Sequence, residues 1–170
     1  MKTRLALVTI VLLAVACSSL AFCQERIGTT RERDVLKAAV TVAAEGLAAV
    51  AVKPDGSYDA EMIRTFVNPI RFLKDKSGYF FVYDYTNNYN IAHAVLKDFP
   101  GKDRTDYQDS RGMYVIRELS KIAAGDEHCG FLVYHWMNPN SGQEEKKLGY
   151  VAVIPGTTLY IGSGIYVRQR

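Results

Sequence analysis

The chain has 170 residues, 48% of them hydrophobic, 11% aromatic and 23% charged, with a formal net charge of +3. That length supports one domain with its own core, and the composition excludes disordered, collagen-like and disulfide-scaffold proteins. Taking Lys2 and Arg4 away from the 21 bases leaves 19 against 18 acids, and so balanced a remainder excludes a nucleic-acid footprint.

Those two bases open a leader. Met1–Arg4 is basic, Leu5–Ala16 is apolar, and small residues follow at Ala16, Ser18, Ser19 and Ala21. This layout predicts a secretory signal peptide over residues 1–23 and a single domain over 24–170, in a periplasm or secreted. Two exits are open. Ala14-Val15-Ala16-Cys17 approximates a lipobox that would leave Cys17 lipidated, whereas Ser19-Leu20-Ala21 or Ala21-Phe22-Cys23 suits an ordinary signal peptidase. An uncleaved anchor competes with both, since ~20 apolar residues span a bilayer; the shortness of the apolar stretch favours cleavage. If Cys17 carries lipid, Cys23 and Cys129 remain to pair; cleavage after Cys23 leaves Cys129 alone.

Thr29-Thr30-Arg31-Glu32 reads as a capping box, and Val35, Ala39, Val42, Ala43, Gly46 and Val50 recur behind it at helical spacing. Pro54-Asp55-Gly56 ends this long helix. Asp59 caps a second helix, and Asn68-Pro69 fits the start of a short third one. From Gly78 the pattern turns to strand. Tyr79–Tyr85 is aromatic and β-branched, Asn87-Asn88 turns, and a short strand follows at Ile91–Ala94. Val95–Gln108 is irregular. Asp109 and Ser110 are placed to start a helix ending at Gly125, with Asp109 as its cap. Gly130–Met137, Lys146–Ile154 and Leu159–Tyr166 read as closing strands joined by turn signals, hence antiparallel neighbours. The fold class is α+β: one five-stranded antiparallel sheet with the long N-terminal helix on one face.

No catalytic motif, metal spacing or haem-attachment motif is present, so the sequence calls for no enzyme activity and no cofactor. A haem or redox module using His93 or His135 is the enzyme-class alternative. More informative is what the strands carry. Side chains alternate along a strand, so Tyr79, Phe81 and Tyr83 share a face. So do Leu132, Tyr134 and Trp136, and likewise Lys147, Gly149, Val151 and Val153. Gly162 and Gly164 leave room for something to approach the last strand closely. Aromatic walls with one Lys and one His suit a small anion, because a cation acts more strongly where water is excluded. Taken singly, each residue has a plainer reading: core aromatics, a solvated turn for Lys147, a structural His93, a backbone requirement at Gly112.

Seven segments in order sharpen this: Ser77-Gly78-Tyr79-Phe80-Phe81-Val82-Tyr83-Asp84, Ile91-Ala92-His93, Gly101-Lys102-Asp103, Asp109-Ser110-Arg111-Gly112, Gly130-Phe131-Leu132-Val133-Tyr134-His135-Trp136, Lys147-Leu148-Gly149-Tyr150-Val151 and Ile161-Gly162-Ser163-Gly164-Ile165-Tyr166. Together they resemble a single Cache domain, the PAS-like extracytoplasmic sensor module of bacterial chemoreceptors and sensor kinases, over roughly Arg31–Tyr166. The resemblance implies a pocket for a small molecule, often a short carboxylate such as acetate, propionate, pyruvate or lactate. It places Tyr79, Phe81, Tyr83, His93, Tyr134, Trp136 and Lys147 at the ligand, with Arg71 a weaker candidate. Lys147, aided by His93 or a Tyr hydroxyl, would hold the carboxylate, and Phe81, Tyr83 and Trp136 would cover the alkyl tail. Only Val167-Arg168-Gln169-Arg170 follow the last motif. The expectation is therefore a small-molecule-binding sensory module that acts through a separate membrane receptor or sensor kinase, with a lipid anchor as its one membrane contact. The alternative is a ligand-free protein-interaction subunit of a membrane sensor.

Overall fold

A computed structural model describes residues 27–167. The signal-peptide and lipidation readings, with Cys17 and Cys23, lie outside these residues. Among the described residues Cys129 is a free thiol, and no helix is long and apolar enough to cross a membrane.

Helix α1 spans Thr30–Ala51, and the capping box forms as read: Thr29 Oγ1 accepts from Glu32 N at 3.2 Å, and Glu32 Oε2 accepts from Thr29 N at 2.7 Å. The buried stripe is not the one the sequence suggests. Leu36, Val40, Ala43, Ala44, Leu47 and Ala51 face inward, while Val35, Val42 and Val50 are 43%, 72% and 61% exposed. Both sets keep helical spacing, one residue or about 100° apart. In a segment so rich in Ala and Val, the two leucines decide which face is buried, because they remove the most apolar area from water.

Helix α2, Ala60–Val67, is capped by Asp59, whose carboxylate accepts from Glu61 N and Met62 N at 2.9 Å each. No third short helix follows. Asn68 ends α2, donating its N–H to the Arg64 carbonyl at 2.9 Å, and Pro69 then lies in a turn. The Arg71 guanidinium collects the carbonyls of Asn68, Ile70 and Ala94, which fixes this turn against the sheet.

The sheet comprises β1 (Phe81–Asp84), β2 (Asn90–His93), β3 (Cys129–Met137), β4 (Glu144–Val153) and β5 (Leu159–Tyr166), in the order β2-β1-β5-β4-β3 with every pair antiparallel. The α+β expectation of five antiparallel strands behind a long helix holds. Helix α1 packs on β4 and β5, and Arg33 near its start stacks on Phe131 of β3 with Cζ 4.1 Å from the ring centroid. The other helix, α3, spans Val115–Ala124 and packs on β3 and β4.

Helix α3 begins five residues later than the Asp109 cap predicts, with Tyr114 at the cap position. Asp109 instead closes a tight turn: one carboxylate oxygen accepts from Arg111 N and Met113 N, and the other accepts from His135 N in β3, all at 2.9 Å. Gly112 at φ +80° takes the left-handed conformation this turn requires, as its backbone reading expects. The carboxylate thus pins the irregular segment to the free edge of β3, and burial notwithstanding, these backbone donors hold its pKa below the usual value.

Candidate functional site

Registration decides which side chains meet, because residues directly opposite in antiparallel strands project to the same face. Phe81 stands opposite His93 and Gly162; Tyr83 opposite Tyr160; Lys147 opposite both Tyr134 and Tyr166; Gly149 opposite Leu132 and Gly164. The strand faces picked out by alternation are therefore one continuous face. Helix α3 covers part of it, and the segment between β2 and α3 brings Phe99 and Tyr107 against it: Phe99 lies 5.3 Å from His93, and Tyr107 lies 4.8 Å from Trp136, between ring centroids.

Between sheet and α3 lies a cavity walled by Phe81, Tyr83, His93, Tyr134 and Trp136 from the strands and by Val115, Ile116 and Leu119 from the helix. Its volume open to a water centre is about 10 Å³, which is room for no more than a single water. Five of the eight sequence candidates thus form the wall. Tyr79 and Lys147 lie immediately behind it: the Lys147 ammonium nitrogen is 4.0 Å from the Tyr79 ring centroid, and the Tyr79 ring is 5.4 Å from that of His93. Arg71 is exposed and committed to its three carbonyls, and it does not line the cavity.

The glycines in β4 and β5 explain how large side chains fit here. A Cβ on Gly162 would lie 2.4 Å from the Phe81 ring, one on Gly149 2.7 Å from Tyr134, and one on Gly164 2.5 Å from Lys147 Cε. The close approach foreseen from the glycine pair is made by the protein's own rings and by the lysine stem.

Lys147 is 0% exposed, which overturns its reading as a solvated turn residue. Its nitrogen reaches Tyr166 Oη at 3.5 Å and a second ring face, that of Tyr166, at 4.8 Å from the centroid. No ion pair among the described residues includes it. Two ring faces stabilise a buried cation by about 2 kcal/mol or somewhat more, while an ion removed from water loses several kcal/mol. Desolvation wins, and burial pulls the Lys147 pKa well below the usual lysine value.

His93 is fixed by a different device. Its Nδ1 accepts from Val95 N at 3.3 Å and Leu96 N at 2.9 Å, so in the neutral ring the proton sits on Nε2. That Nε2 is buried and has no hydrogen-bond partner among the described residues. Burial, and then repulsion from Lys147 when that amine is protonated, push the His93 pKa well below its usual value. The linkage sign follows: the unfolded chain protonates this residue below pH ~6.5 while the folded one resists. Stability contributed by neutral His93 is complete above pH ~6.5 and is lost as the pH falls. Urea melts should show a loss approaching about 1.4 kcal/mol per pH unit from this group below that point, and the His93→Gln variant should lack that part of the slope. An unchanged slope would place the titration elsewhere.

In the same cavity wall the Tyr83 hydroxyl is also buried and has no hydrogen-bond partner among the described residues. Burial pushes the Tyr79 hydroxyl up to about 12 and also raises those of Tyr83, Tyr134 and Tyr166, so these groups remain neutral phenols. Tyr166 donates to the Met137 carbonyl at 2.6 Å. Among the described residues the cavity wall presents unpaired donors, His93 Nε2 and Tyr83 Oη, and no carboxylate. Sequence reasoning missed Phe99, Tyr107 and the α3 residues, which sit in segments without strand periodicity. Tyr166, by contrast, shares the β5 face with Gly162 and Gly164, so alternation alone would have placed it at the site.

Comparison with known proteins agrees with this fold. A family model described as a Cache domain matches residues 57–169. A sensor histidine kinase, MctS of Rhizobium johnstonii, is 38% identical over 92 residues, which are 54% of this chain and 19% of the kinase; the chain therefore spans less than a fifth of that relative. Among solved structures, a methyl-accepting chemotaxis protein from Vibrio parahaemolyticus superposes with a TM-score of 0.65 at 29% identity, covering 79% of this chain and 87% of that one. A Cache chemosensory domain solved for its carboxylic acid recognition gives 0.63 at 22% identity, over 81% of this chain and 92% of that one, a likeness of fold.

Proposed function

This chain belongs to the Cache domain family, and from that premise we propose that it senses a small organic acid, a short monocarboxylate, in the cavity between the sheet and α3. Cache domains are extracytoplasmic sensory modules, and no catalytic family is indicated. The observation that carries the reading is Lys147: a fully buried amine with no anion paired to it among the described residues. A buried amine carries its charge when an anion pairs with it, and no such group stands beside Lys147 among the described residues.

In this reading the carboxylate accepts from Lys147 Nζ, and its second oxygen accepts from His93 Nε2–H or a Tyr hydroxyl. Charge-assisted bonds orient it, and Phe81, Tyr83 and Trp136 cover the short tail. The related domain that recognises a carboxylic acid supports this chemistry by its shared fold. A cavity of about 10 Å³ must open to admit even the smallest acid, and in this reading Phe99 and Tyr107, which pack on His93 and Trp136 from the irregular segment, are the side chains that move. The ligand-bound state would be passed on to a chemoreceptor or sensor kinase, the kinds of protein in which the relatives occur.

The nearly filled cavity also fits a ligand-free interaction subunit, but such a protein has no use for an unpaired buried lysine. Thermal melts against acetate, propionate, pyruvate and lactate separate the two. One site at 100-fold its dissociation constant should add about 2.7 kcal/mol of stability. No shift with any of the four would favour the interaction subunit.

A further inference from the structure

Resting on the carboxylate reading above, we infer that the site takes up one proton with each carboxylate it binds, and that this proton ends on Lys147 Nζ. The ligand in solution is an anion, but the species accommodated is the acid: carboxylate plus proton, split inside the site into an ion pair. The balance is simple. A carboxylate and a proton leave solvent, the lone pair of the lysine amine takes the proton, and no other bond is made or broken.

The geometry assigns the proton by elimination among every titratable or charged group facing the amine. His93, from β2, cannot take it. Its Nδ1 lone pair is occupied by the N–H groups of Val95 and Leu96, and in that tautomer Nε2 already bears its hydrogen. Tyr79 beside β1 and Tyr134 on β3 are buried phenols and Tyr166 on β5 is a half-buried one, all neutral on both sides of the reaction. Glu145 is two residues along β4. Its carboxylate is engaged by Asn138 Nδ2 at 2.9 Å and Ser141 Oγ at 2.5 Å, which hold it ionised, so it neither pairs with Lys147 nor lends it a proton. Helix α3 contributes Val115, Ile116 and Leu119 to the cavity wall and no charge. Arg71, which adds positive charge near His93 and Tyr79, remains on its carbonyls. What is left is an amine with only ring faces and one phenol for company. Its burial favours the neutral form until an anion arrives.

Two measurements on the protein test this. Calorimetric titration of acetate and of propionate at pH 7, in phosphate and in Tris, reads the number of protons from the difference in heats. About one proton per ligand is expected, with affinity weakening about tenfold per pH unit as the pH rises. Binding without proton uptake, at an affinity flat from pH 6 to 8, overturns this inference and leaves the carboxylate reading standing. No binding of either acid removes both. Independently of any ligand, the Nζ resonance of ¹⁵N-labelled Lys147, assigned by its absence in Lys147→Met, should report a neutral amine at pH 7 in the ligand-free protein. An ammonium there overturns the inference whatever binds.

Discussion

Replacing Lys147 by Met should make the ligand-free protein more stable and at the same time remove its affinity for short carboxylates. Methionine keeps the length of the stem that runs over Gly164 and drops the buried amine. The amine's one oxygen contact, to Tyr166 Oη, is long at 3.5 Å, and Tyr166 keeps its bond to the Met137 carbonyl in the variant. A buried polar group lacking full compensation costs about 1–3 kcal/mol, and that is the expected gain in urea denaturation. Losing a hydrogen bond to a charged group, worth about 1.5–3 kcal/mol, should weaken a carboxylate about tenfold to a hundredfold. A structural lysine would show the opposite pattern, a loss of stability with affinity unchanged.

The second large effect is expected at Gly164. A Cβ there would lie 2.5 Å from Lys147 Cε, 2.9 Å from Lys147 Cγ and 2.9 Å from the Leu148 carbonyl oxygen. The lysine stem can move, but the carbonyl belongs to the neighbouring strand and cannot. Gly164→Ala should therefore cost about 1–3 kcal/mol, the range for overpacking a close-packed core, and displace the Lys147 nitrogen from Tyr79 and Tyr166. Combined with Lys147→Met, the penalty should shrink by less than half, since the carbonyl clash persists; a double-mutant cycle measures this. A purely additive cycle would show that the stem does not rest on Gly164.

Much of the fold was legible because local rules and tertiary demands agreed. β5 runs from Leu159 to Tyr166 as read, since its alternation and the Pro155-Gly156 turn leave one register. The capping box placed the start of α1 for the same reason. Its buried face was not legible: Val35, Val42 and Val50 have the same period as Leu36, Val40 and Leu47, and only packing distinguishes them. Asp109 looks like a helix cap locally, but its second carboxylate oxygen is held by His135 N, 26 residues away, and that contact leaves no trace in the nearby sequence.

The site divides in the same way. Alternation grouped Tyr79 with Phe81 and Tyr83, Tyr134 with Trp136, and Lys147 with Gly149, and sheet registration turned these separate sets into one face. Nothing local revealed that Lys147 is buried, because Glu144, Glu145 and Lys146 precede it and resemble a solvated turn. The family likeness pointed there, and strand pairing with Tyr134 and Tyr166 supplies the physical reason. Phe99 and Tyr107 come from an irregular segment whose path is set by long-range contacts such as the Asn90–Lys102 backbone bond.

The central claim, that this cavity takes a small carboxylate against Lys147, is tested most directly by a crystal structure grown in saturating propionate. The account predicts a carboxylate in the space bounded by Phe81, Tyr83, His93, Tyr134 and Trp136, with one oxygen within hydrogen-bond distance of Lys147 Nζ, the other at His93 Nε2 or a Tyr hydroxyl, and Phe99 or Tyr107 displaced. A cavity still closed under those conditions, with Lys147 Nζ resting on Tyr79 and Tyr166, would contradict it.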